Sequence, residues 1–263
     1  MRRVLDIFIA CSALTAAAPL MIVACAGIWL TSPGPIFYRA KRIGRDRRRW
    51  PGDNYDKFER ERRQPRYHGR EFTMYKFRTM RPNSRSSEAP ITSASDPRVF
   101  PFGARLRALK IDELPQLFNV IRGEMALVGP RPEDPSIVER AYDQGGIATL
   151  QVRPGMTSPG TLFYYTHCEH LLTPQEADRT YVERLLPIKL ALDRVYIAKA
   201  STLYDLRVLF RTAWVIFLRS LGARRFSDPP ELALADLGNG YGLSLGAKVT
   251  ECDSGNQFSS RTP

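Results

Sequence analysis

The longest apolar run of the chain lies at its start. After Met1-Arg2-Arg3-Val4-Leu5-Asp6, the stretch from Ile7 to Leu30 carries no charged residue. At about two dozen residues it is long enough to cross a bilayer as a straight helix. Three arrangements compete: a secretory signal with Arg2 and Arg3 as its basic start, a spanning helix, and a helix that enters one leaflet and turns back. Against the first, Cys25 of the lipoprotein-like Ile22-Val23-Ala24-Cys25 is followed by Ala26-Gly27-Ile28-Trp29-Leu30, where a polar mature start is expected. Pro19, near the middle, removes one ladder bond and kinks a helix there. Basic residues flank both ends, Arg2 and Arg3 before and Arg39, Lys41, Arg42 and Arg45 after. Both ends therefore prefer the cytoplasm, which one spanning pass cannot satisfy. Proline and charge symmetry together favour a re-entrant helix over 1–31.

The remaining pattern is mixed. Thr31-Ser32-Pro33-Gly34-Pro35 reads as a rigid exit turn and Ile36–Arg39 as a short strand. From 45 to 70 the chain is rich in arginine and poor in aliphatics, an insertion loop facing solvent or membrane, with a nucleic-acid arm as the alternative. Phe72 to Met80 alternates large and polar residues, the mark of a half-buried strand, with Lys76 and Arg78 on one face and the aromatic rings on the other. Residues 82–97 read as loop and 102–110 as a basic helix. Leu114, Leu117, Phe118 and Ile121 have the spacing of one helix face, with Pro115 in the first turn, Gly123 as the stop and Asp112 at the N-cap. Leu127-Val128-Gly129-Pro130-Arg131-Pro132 predicts a turn that fixes Arg131 between two prolines, and Val152-Arg153-Pro154-Gly155-Met156-Thr157 repeats the device around Arg153. Tyr181 to Arg219 predicts two helical stretches broken near Pro187 and Ser201. Leu203, Leu206, Leu209, Phe210, Ala213, Trp214 and Phe217 form an apolar stripe that is either core or an interfacial helix lying on anionic lipid. The last stretch, 220–263, thins to Gly, Ser, Asp and Pro and predicts a weakly ordered tail.

The fold class expected is an α-rich α+β domain: a re-entrant, kinked membrane helix, then a cytoplasmic catalytic domain over 32–219 with interfacial amphipathic helices. Composition sharpens the choice of partner. Lys and Arg total 39 against 27 Asp and Glu, a net charge of +12 over 263 residues. Such a balance calls for an anion: nucleic acid, a phosphorylated substrate or an anionic membrane. The four cysteines are scattered, which predicts a reducing compartment. His167-Cys168-Glu169-His170 lacks a second cluster at ligand spacing, so a zinc site is not expected. No phosphate-binding Gly-Lys loop or G-x-G-x-x-G appears, which argues against a P-loop ATPase and a Rossmann cofactor site.

Asp112 and Glu113 stand side by side before a helix. The commonplace reading is a capping Asp and a first-turn Glu, both favourable to the helix dipole. The context widens it. A proline-locked guanidinium such as Arg131 loses little entropy on binding phosphate, and its fork matches two oxygens. Fixed arginines, a basic strand, an acid pair and a membrane-dipping start suit chemistry on a phosphorylated substrate at a membrane surface, with a carboxylate attacking phosphorus or holding a metal.

Five motifs occur in order: Ser32-Pro33-Gly34-Pro35-Ile36-Phe37-Tyr38-Arg39, Lys76-Phe77-Arg78-Thr79-Met80, Asp112-Glu113-Leu114-Pro115-Gln116-Leu117, Leu127-Val128-Gly129-Pro130-Arg131-Pro132 and Val152-Arg153-Pro154-Gly155. Together they resemble the bacterial sugar transferase family, the monotopic phosphoglycosyl transferases, in its small form comprising the catalytic domain alone. The resemblance covers about residues 1–215. It implies a two-step transfer. Asp112 attacks the β-phosphate of a nucleotide sugar, usually UDP-linked, and expels the nucleoside monophosphate; polyprenyl phosphate then takes the sugar phosphate from the aspartate. By the same resemblance Glu113 works with Mg²⁺ beside Asp112, and Arg131 binds phosphate. Lys76, Arg78, Arg107, Arg153 and Asp193 match other substrate-binding positions. The implied partners are the nucleotide sugar, polyprenyl phosphate and anionic lipid, without nucleic acid. The implied location is the cytoplasmic face of a bacterial inner membrane.

Two features depart from the family pattern. Ala18-Pro19 replaces its usual Ser-Pro at the membrane kink, so no serine can bond back across the bend. Met156-Thr157-Ser158-Pro159-Gly160-Thr161-Leu162-Phe163-Tyr164-Tyr165 replaces the usual Ile-Thr-Gly continuation, which points to an unusual donor if that region contacts sugar or nucleotide. The rival readings are a membrane-anchored basic adaptor without catalysis, and a hydrolase on the same anchor.

Overall fold

The computed structural model describes residues 2–46, 69–81, 91, 96–173 and 175–235. Most of the basic 45–70 insertion, most of the 82–97 loop and the tail beyond 235 lie outside the described residues.

Helix α1 (Arg2–Thr31) is continuous, with Pro19 inside it. Among the described residues it is the one helix long and apolar enough to cross a membrane. Its packing divides into two parts. Ala10 is buried beside Val120 and Met125, and Arg3 donates to Ile121 O at 2.9 Å. Further along, Ala24 and Ile28 bury against Phe77, Phe100 and Leu106, and Gly27 lies so close to Phe102 that a β-carbon would stand 2.2 Å from its ring. Between these anchors Ala18, Pro19 and Leu20 are exposed, as are Phe8, Ile22, Val23 and Trp29 along the outer face.

The chain leaves α1 through the proline turn into β1 (Phe37–Ile43), which pairs antiparallel with β2 (Glu71–Phe77) from Phe37↔Phe77 to Ile43↔Glu71. The pairing carries β1 beyond Arg39, because the backbone of Ala40 to Ile43 has a partner strand, and there buried Ala40 and Ile43 flank the basic Lys41 and Arg42. Helix α2 (Pro101–Ala108) starts on Pro101. A tight 3₁₀ turn over Ile111–Glu113 leads into α3 (Gln116–Arg122), which ends at Gly123 with φ 83°. Asp112 is therefore not an N-cap: that position falls to Pro115, which makes no side-chain cap bond, and the acid pair sits one turn earlier.

Two short parallel strands, β3 (Ala126–Val128) and β4 (Gly155–Thr157), are bridged by α4 (Pro135–Ala141) and α5 (Gln144–Thr149). Their loops meet without room for side chains, since a β-carbon on Gly155 would stand 2.1 Å from Gly129 N. Helix α6 (Pro159–Phe163) runs into a wide π turn over Tyr164–Cys168. Helix α7 (Ala177–Thr180) continues through a second such turn, Tyr181–Leu185, into α8 (Leu186–Lys199). Pro187 does not break this segment: it occupies the first turn of α8, where a missing N–H costs nothing. The break at Ser201 is real, because its hydroxyl accepts from Tyr204 N–H and starts α9 (Thr202–Ser220).

On α9, Val208 is buried, whereas Phe210 is 70 % and Trp214 51 % exposed, with Leu203, Leu206 and Phe217 beside them. Apart from Leu209, which packs against the core, the stripe is thus exposed. Past α9 the described part of the expected tail, 220–235, packs back onto the domain. Glu231 is buried and accepts from Tyr204 Oη at 2.7 Å and Arg211 at 2.7 Å, while Leu232 leans on the core around Ile137 and Leu186. Two charge-assisted bonds order a segment whose composition suggests none.

Candidate active site

The site forms where β2, the Ile111–Glu113 turn and the loop after β3 converge. The turn is set up by Lys110, which takes a left-handed conformation (φ 56°, ψ 19°) and reverses the chain after α2. Ile111 then enters the core with Ile28 and Phe77, and the two carboxylates turn inward. Behind them Asn119, fully buried on α3, locks α3 to β2. Its amide donates to Thr73 O at 2.7 Å and Glu124 Oε2 at 2.6 Å, and its carbonyl accepts from Tyr75 N–H at 3.1 Å. Lys76 follows directly and reaches Glu113 Oε1 at 3.2 Å. From the other side Arg131 grips Glu113 with both arms, Nη1 to Oε2 at 3.0 Å and Nη2 to Oε1 at 2.5 Å. Its loop is tied to β4 by Gly155 N–H to Pro130 O at 2.8 Å and Gly129 N–H to Thr157 O at 2.9 Å.

These contacts separate the two acids. Burial acts to raise the Glu113 carboxyl, but Arg131, Lys76 and Lys110 outweigh it and hold the group well below the usual carboxylate range. Asp112 is buried as well, and burial with the adjacent Glu113 charge pushes its carboxyl up against the pull of Lys76, Lys110 and Arg107. Its Oδ1 is buried without a hydrogen-bond partner. Lys76 itself is pushed down to about 8, chiefly by burial. One carboxylate is thus fixed as a charged anchor for two cations, and its neighbour presents an unengaged oxygen. An unpaired buried oxygen is costly and calls for a ligand.

Arg107 stands near this cluster, with Nε donating to Thr79 Oγ1 at 2.8 Å. The structure does not bring Arg78 into it. Strand β2 ends at Phe77, and Arg78 swings to the proline turn after α1, donating to Ser32 Oγ at 2.8 Å, Ser32 O at 2.6 Å and Pro35 O at 2.5 Å. Lys76 and Arg78 therefore do not share a site although they lie two residues apart. Arg153 lies at the edge of β4 within electrostatic reach of Asp6 on α1. Asp193, fully buried on α8, accepts from Gly160 N–H at 3.1 Å at the start of α6. Burial raises it to about 6, and the charges acting on it are Lys189 and Glu133. Glu133 is buried against Lys189 and Tyr181, a second polar cluster below the Arg131 loop.

Several residues of the site carry no sequence signal of their own. Lys110 belongs to none of the ordered motifs. Asn119 and Glu133 each stand just beyond one, where the alternation of polar and apolar positions does not mark them. His167 stacks on Phe163, with Nδ1 2.6 Å from Thr166 Oγ1 and Nε2 3.1 Å from Phe226 O. Among the described residues no group of three potential ligands gathers.

The arrangement can hold an anion between Lys76 and Arg131, with Lys110 nearby, and set a carboxylate oxygen beside it. Comparison with known proteins points the same way. The profile described as "Bacterial sugar transferase" matches residues 1–52 and 53–219. The chain is similar to the exopolysaccharide production protein ExoY of Sinorhizobium fredii, 31 % identical over 226 residues, covering 80 % of this chain and 83 % of that one. It is 36 % identical over 143 residues to the putative undecaprenyl-phosphate N-acetylgalactosaminyl 1-phosphate transferase of Bacillus subtilis, covering 54 % of this chain and 68 % of that protein. It is 32 % identical over 225 residues to the UDP-N-acetylgalactosamine-undecaprenyl-phosphate N-acetylgalactosaminephosphotransferase of Aeromonas hydrophila, covering 85 % of this chain and 45 % of that longer protein.

Proposed function

Because the chain belongs to the bacterial sugar transferase family, we propose that it is a phosphoglycosyl transferase that moves a sugar 1-phosphate from a UDP-sugar to undecaprenyl phosphate by way of a covalent bond to Asp112. The observation that carries this reading is the contrast within the acid pair, Glu113 clamped by Arg131 and Lys76 while Asp112 keeps an unengaged, buried oxygen. A nucleophile and a structural acid need those different surroundings.

In the first step the Asp112 oxygen bonds to the β-phosphorus of the donor. The bond from that phosphorus to the bridging oxygen breaks, and the nucleoside monophosphate leaves with the electron pair. Two anions approach each other here, and Lys76 and Arg131 offset the repulsion. In the second step an oxygen of undecaprenyl phosphate bonds to the same phosphorus, the Asp112 carboxylate is released, and undecaprenyl-diphospho-sugar results. The donor set would suit Mg²⁺ through one oxygen of Asp112, leaving the other to attack phosphorus, because Asp112 Oδ1 has no hydrogen-bond partner whereas Glu113 is engaged by two cations. Bound there with phosphate oxygens and water, the ion would neutralise diphosphate charge.

The membrane arrangement belongs to the same proposal. Both ends of α1 pack on one body, its first turns near Ile121 and its last near Phe102, while the residues around Pro19 stay exposed. That supports a helix which dips into one leaflet at Pro19 and returns, holding the domain on the cytoplasmic face of the inner membrane. The exposed aromatic stripe of α9 supports an interfacial helix beside it. The relatives named for exopolysaccharide production and lipid-linked transfer support a role at the start of glycan assembly.

The test is UMP release from a panel of UDP-sugars with undecaprenyl phosphate and Mg²⁺, wild type against Asp112→Asn. UMP and a lipid-linked product are expected with one sugar, and neither from the folded variant. Release that persists in Asp112→Asn would refute the covalent route, and free sugar phosphate in place of the lipid product would indicate a hydrolase.

A further inference from the structure

Lys110 has three properties that the transfer reaction as described does not use. It is the only non-glycine residue with positive φ among the described residues. Lysine seldom adopts that conformation, and strain of this kind collects at functional sites. Its Nζ lies 4.0 Å from the centroid of the Tyr165 ring, and the Arg219 guanidinium lies 3.9 Å from the same centroid. Tyr165 is in turn fixed at both ends: its hydroxyl donates to Ala108 O at 3.3 Å, and its carbonyl accepts from Arg219 at 2.6 Å. The ammonium is therefore held by backbone and ring together.

The other cations around the site already have partners. Lys76 and Arg131 bond to Glu113, Arg107 to Thr79 and Arg219 to Glu169. Among the described residues no acceptor stands within hydrogen-bonding distance of Lys110 Nζ, although its charge is felt by both Asp112 and Glu113. Charged groups flank the ammonium on the site side, and exposed apolar residues stand next to it in sequence and around Arg219, its partner on the Tyr165 ring. Leu109, next to it, is 44 % exposed, Leu221, just beyond Arg219, is 69 % exposed, and Phe217 on α9 is half exposed. A nucleotide gains nothing from exposed leucine, whereas a phosphate carried on a hydrocarbon chain gains from cation and leucine alike.

Resting on the functional reading above, we propose that Lys110 is a binding residue for the acceptor, its ammonium taking the phosphate monoester of the polyprenyl phosphate on the membrane side of Asp112. Lys76 and Arg131 then serve the donor diphosphate, and Lys110 presents the second phosphate from the lipid side. The Tyr165–Arg219 contact links this lysine to the interfacial helix, so the acceptor site forms where the domain meets lipid.

The experiment measures binding before turnover. Full-length protein in phosphatidylcholine nanodiscs is titrated with farnesyl phosphate, comparing wild type, Lys110→Gly and Lys110→Arg. Glycine accepts φ 56° without strain, so Lys110→Gly removes the cation and keeps the turn. The expected result is an affinity about tenfold weaker in Lys110→Gly and within about threefold of wild type in Lys110→Arg. In turnover the KM for undecaprenyl phosphate rises in Lys110→Gly by a similar factor, and the KM for the nucleotide sugar moves less than twofold. Unchanged farnesyl phosphate affinity in Lys110→Gly overturns the proposal. So does a rise in the donor KM alone, or an equal loss of binding to phosphatidylglycerol, which would make the lysine a general headgroup contact. Lysine-dependent binding by a protein that transfers no sugar phosphate would refute the functional reading and leave the lysine's assignment intact.

Discussion

Replacing Asp193 by Asn removes the ionisable proton and exchanges one carboxyl oxygen, in a group that Ser158 also reaches, for an amide nitrogen. The side chain is fully buried, its Oδ1 accepts from Gly160 N–H, and its Oδ2 has no partner. Asparagine keeps the accepting oxygen, and Lys189 keeps its ion pair with Glu133. Burial holds the wild-type carboxyl at about 6 against an ordinary 3.8. The folded state therefore takes up a proton between those values, and the sign follows. The stability contributed by protonated Asp193 is fully present below about pH 3.8 and is lost as pH rises through 6. The difference is worth about 3 kcal/mol. The variant cannot ionise and escapes that loss. Thermal melts of the solubilised protein from pH 4 to 7.5 should show the variant's midpoint rising relative to wild type, levelling near pH 7. At about 2–4 °C per kcal/mol for a chain of this size, the separation grows by about 6–12 °C. Parallel profiles for the two proteins would refute the claim that Asp193 is a buried, proton-accepting group. Nucleotide release measured alongside tells whether the same carboxyl also meets substrate: a stabilised variant without turnover would assign it to the reaction.

Two further substitutions probe the frame. Asn119→Ala leaves Tyr75 N–H and Thr73 O without their partner and frees Glu124, so denaturant melts should show a loss of about 2–4 kcal/mol; a loss under about 0.5 kcal/mol would mean that α3 does not hold β2 through this amide. Gly155→Ala sets a β-carbon among the nitrogen, oxygen and α-carbon of Gly129, all backbone, and should yield no folded protein by limited proteolysis, whereas wild-type resistance would show that the two loops can separate.

Much of the frame is legible because local chemistry decides it. The alternation after Glu71 marks β2, Gly123 stops α3 with a positive φ, and Ser201 caps α9. The acid pair and Arg131 stand out through their ordered motifs. What local chemistry cannot convey is the choice among partners distant in sequence. Asp112 before Leu114 and Pro115 looks like a cap, and only the reversal at Lys110 turns it into the core. Lys76 and Arg78 alternate correctly for one strand face, yet the strand ends between them. Arg78 is claimed by Ser32, 46 positions away. Pro187 reads as a breaker until the π turn before it supplies a helix to join. Glu231 lies in a stretch of loop-like composition and is ordered by Tyr204 and Arg211, which lie a full helix earlier.

The three bonds of Arg78 to Ser32 and Pro35 have a mechanical consequence. They clamp the exit of α1 to the sheet that carries Lys76, and the contact of Gly27 with Phe102 stiffens the same joint. With no hinge there, helix and acid pair move as one piece, and in the proposed membrane arrangement the depth to which α1 sits would fix the height of Asp112 above the hydrocarbon. A bilayer of shorter acyl chains cannot be met by bending at the joint; the whole body must tilt. Turnover would then depend on membrane thickness itself, and loosening the clamp with Arg78→Ala would make the protein less sensitive to lipid length even as it lost stability.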